Sequence, residues 1–204
     1  MDARLAVLAS GTGTNLQALL DDPVVGPWVA LVVSDREDAR ALDRACDRGV
    51  EAVFLDPKAV ADRASYDREL VEVLRSHRIG LVVLAGFMRI LGPEVVQAFP
   101  DRIVNIHPAL LPAFPGAHGI ADAFGWGVKV TGVTVHLVDE EMDHGPIVAQ
   151  EAVRILPEDD LASLEARIHE VEHRIYAPAV RALVEGRVEL EGRIAHVLEE
   201  AGER

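Results

Sequence analysis

The first half of the sequence alternates short, almost wholly apolar runs with segments of helical periodicity. In chain order, the apolar runs cover residues 5–10, 29–35, 52–56, 81–86 and 102–106, and the helical patterns cover 15–20, 37–49, 65–78 and 93–99. Strands that are buried on both faces have near-continuous Val, Leu and Ile, whereas half-exposed strands alternate. The rhythm predicts an α/β fold whose Rossmann-like, mostly parallel sheet is covered by helices on both faces. Ser65 is the expected cap of the third helix.

The pattern changes after residue 112. Two longer runs, 129–139 and 146–156, alternate in part and predict an antiparallel C-terminal strand pair. Residues 160–186 predict a long helix that tolerates or bends at Pro178, and 188–197 are a weak strand candidate. No repeat or linker interrupts the chain, so we expect one domain over residues 1–204, with a disordered tail from about 198 to 204.

Charge and cysteine usage exclude several classes of partner. The formal net charge of −14 repels phosphate backbones and anionic lipids, which argues against nucleic-acid and membrane partners. Cys46, the single cysteine, can form neither an internal disulfide nor a cysteine-based zinc site. The N-terminus lacks a long apolar signal segment, and no run reaches the length of a membrane span. The expected location is the cytoplasm.

A glycine-rich turn follows the first predicted strand. Its residues are Gly11, Thr12, Gly13, Thr14 and Asn15. Backbone N–H groups in such a turn can point at a phosphate at the N-terminus of the next helix. The spacing matches neither the dinucleotide GxGxxG motif nor a Walker loop. The turn is therefore either a phosphomonoester site or only a tight strand-to-helix connection.

Polar side chains stand at the end of the fifth apolar run. Asn105 and His107 are two residues apart, so they share a face of an extended segment, and Pro108 and Pro112 are expected to keep the following chain extended. Asn can donate to a developing oxyanion, and His can donate to it or protonate it. Asp143, in the predicted loop between the later strands, is the best candidate to orient the imidazole. A merely structural Asn and His remain the alternative.

The remaining histidines and acids do not assemble a metal-binding motif. His118 can line a pocket or sit in a turn, and His136 reads more readily as a histidine of the sheet than as a ligand. His169 and His173 are spaced one helical turn apart but lack a third ligand, and no HExxH motif is present. The acidic run 139–143 lacks calcium-loop spacing. We expect no metal.

Four longer motifs carry a family resemblance over residues 4–185. They are SGTGTNLQALL, VVLAGFMRIL, VNIHPALLPAFPGAH and TGVTVHLVDEEMDHGPIVAQ. Together they resemble the phosphoribosylglycinamide formyltransferases of purine synthesis, the type that depends on 10-formyltetrahydrofolate. The resemblance implies direct formyl transfer from this folate to the primary amine of glycinamide ribonucleotide, through a tetrahedral intermediate and without a metal.

The resemblance also assigns roles to residues. It implies that Asn105, His107 and Asp143 are catalytic, that residues 11–15 bind the substrate phosphate and that Glu172 binds the ribose. The implied folate-binding residues are Arg63, Met88, Arg89, Ile90, Leu91, Val138, Asp139, Glu140, Glu141 and Met142, with His118 and His136 lining the pocket. A cis Leu111–Pro112 bond is implied as well.

Three positions depart from the family pattern, and three rival functions stay open. His144 replaces a small residue beside the catalytic Asp, Ile120 replaces a frequent histidine, and Ala113 replaces a frequent basic residue. A deformylase or a methionyl-tRNA formyltransferase is disfavoured because the former is expected to carry an added N-terminal domain and the latter a C-terminal RNA-binding domain. A non-catalytic phosphometabolite-binding module would leave the Asn, His and Asp unused. The expected assembly is a monomer or a homodimer.

Overall fold

The computed structural model describes residues 4–199, which divide after Val104 into two compact units. The first unit alternates strands and helices: β1 Leu5–Leu8, α1 Thr14–Asp21, β2 Val29–Ser34, α2 Arg40–Asp47, β3 Glu51–Phe54, α3 Arg63–Ser76, β4 Leu81–Leu84 and α4 Pro93–Ala98. A short 3-10 helix, Gly26–Trp28, precedes β2. The strands run parallel in the order β3-β2-β1-β4.

The core of the first unit follows from its continuous apolar runs. β1 and β4 are buried along their whole length, as are five of the six residues of β2. Parallel strands end at a common edge, and this is where ligands bind in open α/β sheets. The segments that follow β1 and β4 meet there, because the Ser10 N–H donates to the Gly86 carbonyl at 3.0 Å.

β5, Ile103–His107, begins just before the division, and its last three residues belong to the second unit. The later elements are α5 Gly119–Trp126, β6 Val130–Leu137, β7 Ile147–Arg154, α6 Leu161–Val184, β8 Val188–Glu191 and β9 Ile194–Val197. Strand order is β5-β6-β7-β9-β8, with β6–β7 and β8–β9 antiparallel and β7–β9 parallel. The α/β class, the predominance of parallel pairing and the antiparallel β6–β7 pair are confirmed.

Several local predictions were wrong. Asp62, not Ser65, caps α3, because its carboxylate accepts the Ser65 N–H at 2.8 Å. The second helix begins at Arg40 rather than at residue 37. The weak strand over 188–197 is a hairpin, since Gly192 has φ 59° and turns the chain between β8 and β9. The long helix, by contrast, was predicted correctly: α6 continues through Pro178.

The segment after β5 is a turn rather than an extended chain. The Ala113 N–H donates to the Leu110 carbonyl at 3.0 Å, and Phe114 has φ 53°. The Leu111–Pro112 bond is cis, as the resemblance implied. The turn brings the Phe114 carbonyl back to the end of β5, so that the two prolines shape a loop around His107.

Residues 200–204, most of the expected disordered tail, lie outside the described residues. Leu198, where that tail was expected to begin, is bonded to Arg187, and its N–H donates to the Arg187 carbonyl at 2.8 Å. Over residues 4–199, none of the helices combines the length and the apolar character needed to cross a membrane.

Candidate active site

The end of β5 and the loop between β6 and β7 bring together three side chains from the second unit. The Asp143 carboxylate lies 3.6 Å from Nδ1 of His107 and 3.7 Å from Nε2 of His136. The Asn105 amide nitrogen lies 3.1 Å from the same His136 nitrogen. His107 and His136 are buried, and Asn105 and Asp143 are partly buried. The structure therefore gathers Asn105, His107 and Asp143, and adds His136 to them.

His107 is held at both ring nitrogens. Its Nε2 lies 2.8 Å from the Phe114 carbonyl, which can only accept, so this nitrogen carries a proton. Its Nδ1 faces the Asp143 carboxylate. At 3.6 Å, this second contact is an electrostatic one rather than a hydrogen bond. Gly119 leaves room for the ring, since a Cβ there would lie 3.1 Å from Nε2 of His107.

Asp143 is held by the main chain as well as by the rings. The Gly116 N–H donates to its Oδ2 at 2.7 Å, and Asp143 itself has φ 54°, a left-handed conformation that Asp tolerates better than most residues. Burial raises the pKa of Asp143, but the His136 ring when protonated, the Gly116 N–H and the His107 charge outweigh it. The pKa of the carboxyl is lowered, which favours the ionised form.

The rest of the loop between β6 and β7 is largely exposed. Val138 and Asp139 are partly buried, whereas Glu140, Glu141 and Met142 are exposed. Asp139 accepts the Glu141 N–H at 3.0 Å and pairs with Nδ1 of His144 at 2.8 Å. Arg193, in the β8–β9 turn, donates to Nε2 of His144 at 2.6 Å and to its carbonyl at 2.5 Å. The unusual His144 thus ties the loop to the C-terminal hairpin.

The glycine turn of the first unit leaves the start of α1 without a side-chain cap. Gly13 is the N-cap residue, with φ 70°, and as a glycine it offers no side-chain acceptor to the first N–H groups of the helix. The helix N-terminus therefore presents backbone donors and a partial positive charge to an anion. Arg44 lies beside the turn and donates to the Thr12 carbonyl at 2.8 Å. Gly11 and Thr12 are exposed.

The segment after β4 presents apolar side chains to solvent. Met88 is 67% exposed and Ile90 is 60% exposed, whereas Leu91 is buried. The Met88 N–H donates to the Ser10 hydroxyl at 2.8 Å, and this hydroxyl donates to Asp35 at 2.5 Å. Exposed apolar side chains of this kind can contact the apolar part of a ligand.

The first turn of α3 supports the same segment. The Arg89 guanidinium stacks over the Tyr66 ring, 4.7 Å from its centroid, which is cation–π geometry. Exposed Arg63 lies 3.7 Å from the buried Asp67 carboxylate. Burial raises the pKa of Asp67 more than Arg63 and the Gly92 N–H lower it.

Glu172 and His118 occupy other parts of the second unit. Glu172 is buried in α6, and its carboxylate lies 2.7 Å from Nδ1 of His169. The contact with Glu172 raises the pKa of His169 despite partial burial of the ring. His118 is exposed at the start of α5 and makes no side-chain cap bond. No group of three or more His, Cys, Asp or Glu within residues 4–199 is placed to hold a metal ion.

Sequence reasoning missed three contributors. The Gly116 N–H, the Ser10 hydroxyl and the Arg44 guanidinium each contact a predicted site residue or its backbone. The Pro-Gly pair ending at Gly116 is typical of a turn. It does not identify Asp143, 27 residues away, as the acceptor of the Gly116 N–H. Arg44 is one of several basic residues in a helical pattern, so no local signal distinguishes it.

Comparison with known proteins gives a consistent result. The formyl transferase profile matches residues 3–180. Phosphoribosylglycinamide formyltransferase of Bacillus subtilis is 41% identical over 184 residues, covering 89% of this chain and 94% of its own length. The Mycobacterium tuberculosis protein of the same name is 48% identical over 196 residues, covering 95% and 90%.

A solved structure extends the likeness to three dimensions. Glycinamide ribonucleotide transformylase 1 from Symbiobacterium toebii aligns with a TM-score of 0.93 at 48% identity, covering 97% of this chain and 94% of its own. The family profile spans well over half of the chain, and both relatives named above exceed 40% identity over nearly all of it. The chain belongs to the formyl transferase family.

Proposed function

We propose that the chain transfers the formyl group of 10-formyltetrahydrofolate to the primary amine of glycinamide ribonucleotide, a step of purine biosynthesis. Relatives that share more than 40% of its residues carry the name of this enzyme. The observation that carries the proposal is the grouping of Asn105 and His107 with the partly buried Asp143 carboxylate, in which His136 links Asn105 to Asp143. A binding module has no use for this arrangement.

The reaction needs a stabilised oxyanion. The substrate amine attacks the formyl carbon, a C–N bond forms, and the carbonyl oxygen becomes an alkoxide. Asn105, held by His136, donates to this oxygen, and His107 donates to it through Nε2 once the oxygen replaces the Phe114 carbonyl as its acceptor. Preorganised donors of this kind contribute roughly 3–4 kcal/mol each to lowering the barrier.

The reaction also needs a proton to move between nitrogens. The attacking amine loses a proton, the bond from the formyl carbon to folate N10 breaks, and N10 gains a proton. Asp143 keeps the His107 ring oriented, and the lowered pKa of Asp143 keeps this carboxylate ionised for the task. Transfer through water completes the exchange without a covalent intermediate.

The remaining residues are proposed to bind the two substrates. Backbone N–H groups of Gly13, Thr14 and Asn15, beside Gly11 and Thr12, bind the ribonucleotide phosphate, and Glu172 binds the ribose. The folate is held by Arg63, by Met88, Arg89, Ile90 and Leu91, and by Val138, Asp139, Glu140, Glu141 and Met142. The uncapped start of α1 and the exposed Met88 and Ile90 support these roles. His118 is proposed as an outer pocket residue.

We also propose that residues 1–204 form one formyltransferase domain, because the family profile continues across the division after Val104. The proposed assembly is a monomer or a homodimer, which sedimentation of the purified chain distinguishes. The proposed compartment is the cytoplasm, in keeping with the single, exposed and free Cys46.

The decisive experiment incubates the protein with 10-formyltetrahydrofolate, with and without glycinamide ribonucleotide. Loss of the formyl group from the folate is followed by absorbance, and the mass of the ribonucleotide is measured by mass spectrometry. We expect the formylated ribonucleotide, formed only when the amine is present. Asn105→Ala and Asp143→Asn should each lower kcat by about 100-fold or more.

Asp38→Asn is the matched control, since this carboxylate is 78% exposed and pairs with nearby Arg36. It should keep normal turnover. Free formate without the amine would identify a deformylase, and binding without turnover would identify a phosphometabolite-binding module. Either result overturns the proposal.

A further inference from the structure

The buried histidine of β6 has a role that its position in a strand does not reveal. His136 is 2% exposed, and both of its ring nitrogens have partners. Nδ1 lies 2.8 Å from the Leu137 carbonyl, which can only accept, so Nδ1 carries a proton. Nε2 lies 3.1 Å from the Asn105 amide nitrogen, which can only donate. The two contacts together require a neutral ring whose Nε2 is an acceptor.

This tautomer fixes the orientation of the Asn105 amide. An amide NH₂ has two hydrogens, and one of them is spent on His136. Within residues 4–199 the second has no acceptor, and the proposed mechanism directs it to the oxyanion. Without an acceptor at Nε2, the amide can turn over and present its carbonyl oxygen, which repels an oxyanion.

A protonated His136 would have the opposite effect. Its Nε2–H would face the Asn105 NH₂, donor against donor, and would instead point toward the Asp143 carboxylate at 3.7 Å. The amide would then turn over, so that its oxygen meets the ring. Asn105 and Asp143 are thus alternative partners of one nitrogen, and only the neutral ring leaves the Asn105 donor in place.

We infer that His136 is a positioning residue for formyl transfer: its unprotonated Nε2 holds the side-chain amide of Asn105 with the NH₂ group toward the reacting oxygen. The inference rests on the proposed function, because it acts through the proposed role of Asn105. In this proposal, His136 determines whether the nitrogen or the oxygen of the Asn105 amide faces the reacting group.

The first test is a double-mutant cycle between His136→Leu and Asn105→Ala. We expect His136→Leu to lower kcat by up to about 100-fold with little change in either KM, as for a misplaced catalytic group. In the Asn105→Ala background the same substitution should cost almost nothing further, because its target is gone. Equal losses in both backgrounds would overturn the inference.

Two further variants separate positioning from packing. His136→Gln offers an uncharged acceptor near the place of Nε2 and should recover part of the lost turnover. Thr131→Val is the control, since this hydroxyl is 1% exposed on the same strand and has no hydrogen-bond partner within residues 4–199. It should leave turnover unchanged. A His136→Gln variant as slow as His136→Leu would count against the inference.

A direct measurement needs no variant to fold. Nitrogen-15 spectra of the protein labelled at histidine should show His136 protonated at Nδ1 and unprotonated at Nε2 near neutral pH. The opposite tautomer would overturn the inference even if Asn105→Ala is inactive. A fully active Asn105→Ala variant would instead overturn the proposed catalytic role of Asn105. If the tautomer is then as expected, the hydrogen bond between His136 and Asn105 exists but does not serve formyl transfer.

Discussion

Nδ1 of His107 lies 3.6 Å from the Asp143 carboxylate, and the Gly116 N–H donates a hydrogen bond to the same carboxylate. The separation is longer than a hydrogen bond, so the pair as described is an electrostatic contact. The hydrogen bond that holds the ring joins Nε2 to the Phe114 carbonyl at 2.8 Å, and the one that holds the carboxylate comes from the Gly116 N–H at 2.7 Å. Both partners of the pair are therefore fixed by the main chain.

Asp143 should stabilise the fold in a pH-dependent way. Its pKa is lowered in the folded state, so its contribution is complete above the usual carboxyl pKa of about 3.9 and is lost as the pH falls through the folded value. We expect the difference in unfolding free energy between the wild type and Asp143→Asn to shrink from pH 6 toward about pH 3. Urea unfolding at a series of pH values measures this, and a constant difference would contradict it.

Gly13 should be intolerant of a side chain. Its φ is 70°, and a Cβ would lie 3.0 Å from both Cα and Cβ of Ala41. Gly49 has φ 68° with nothing within 4 Å, so Gly49→Ala measures the conformational strain alone, about 1–2 kcal/mol. Gly13→Ala should lose more stability than this control and should also raise the KM for the ribonucleotide. If the two variants lose the same stability and Gly13→Ala leaves the KM unchanged, then Gly13 has no close contact with Ala41 and the turn does not bind the ribonucleotide.

Ser10 should influence folate binding through its hydrogen bond with the Met88 backbone. Removing its hydroxyl takes the acceptor from the Met88 N–H and leaves the Asp35 carboxylate without its 2.5 Å donor. We expect Ser10→Ala to raise the KM for the folate more than that for the ribonucleotide. Ser76→Ala, which deletes an exposed hydroxyl bonded to the Val73 carbonyl, should change neither.

Arg193 should restrain the loop over residues 139–144 without adding much stability. Its partner His144 is 44% exposed, and exposed pairs contribute at most about 1 kcal/mol. Arg193→Ala should speed amide hydrogen exchange in the loop and raise the folate KM by up to about fivefold. Arg36→Ala, at an exposed ion pair outside this loop, is the control. Unchanged exchange in the loop would show that the tie is not maintained in solution.

His169 should titrate at a higher pH because of Glu172. The raised pKa means that the contact stabilises the fold below about 6.5, and that this contribution is lost as the pH rises through the folded value. Glu172→Gln should bring the His169 titration back toward its usual range in an NMR experiment. His77, whose pKa is raised by the Val73 carbonyl and then by Glu51, should titrate unchanged in the same spectra.

The fold was more predictable than its connections. β1, β2 and β4 are buried on both faces, so their apolar runs could be read directly from the sequence. The N-cap of α3 was harder to predict, because Asp and Ser are both favoured at this position. The structure shows that the Asp62 side chain accepts the Ser65 N–H. The hairpin over 188–197 was missed because Gly192 interrupts a run with little apolar pattern.

The candidate site was predictable in its residue types and not in its main-chain partners. Asn105, His107 and Asp143 stand in motifs that the resemblance picks out, and the structure brings them together. The Phe114 carbonyl and the Gly116 N–H have no side-chain signature, since any sequence supplies such groups. Their placement depends on the turn after β5, which the two prolines alone did not predict.

The bond from the Gly116 N–H to Asp143 also bears on how this protein can change over generations. A main-chain donor has no side chain to lose, but Gly116 has φ 99°, a conformation that other residues adopt only with strain. A side chain at this position would disturb the turn and, with it, the N–H that reaches Asp143. Inheritance of this anchor therefore depends on one glycine and on the path of the backbone around it, and not on any side chain that the site displays.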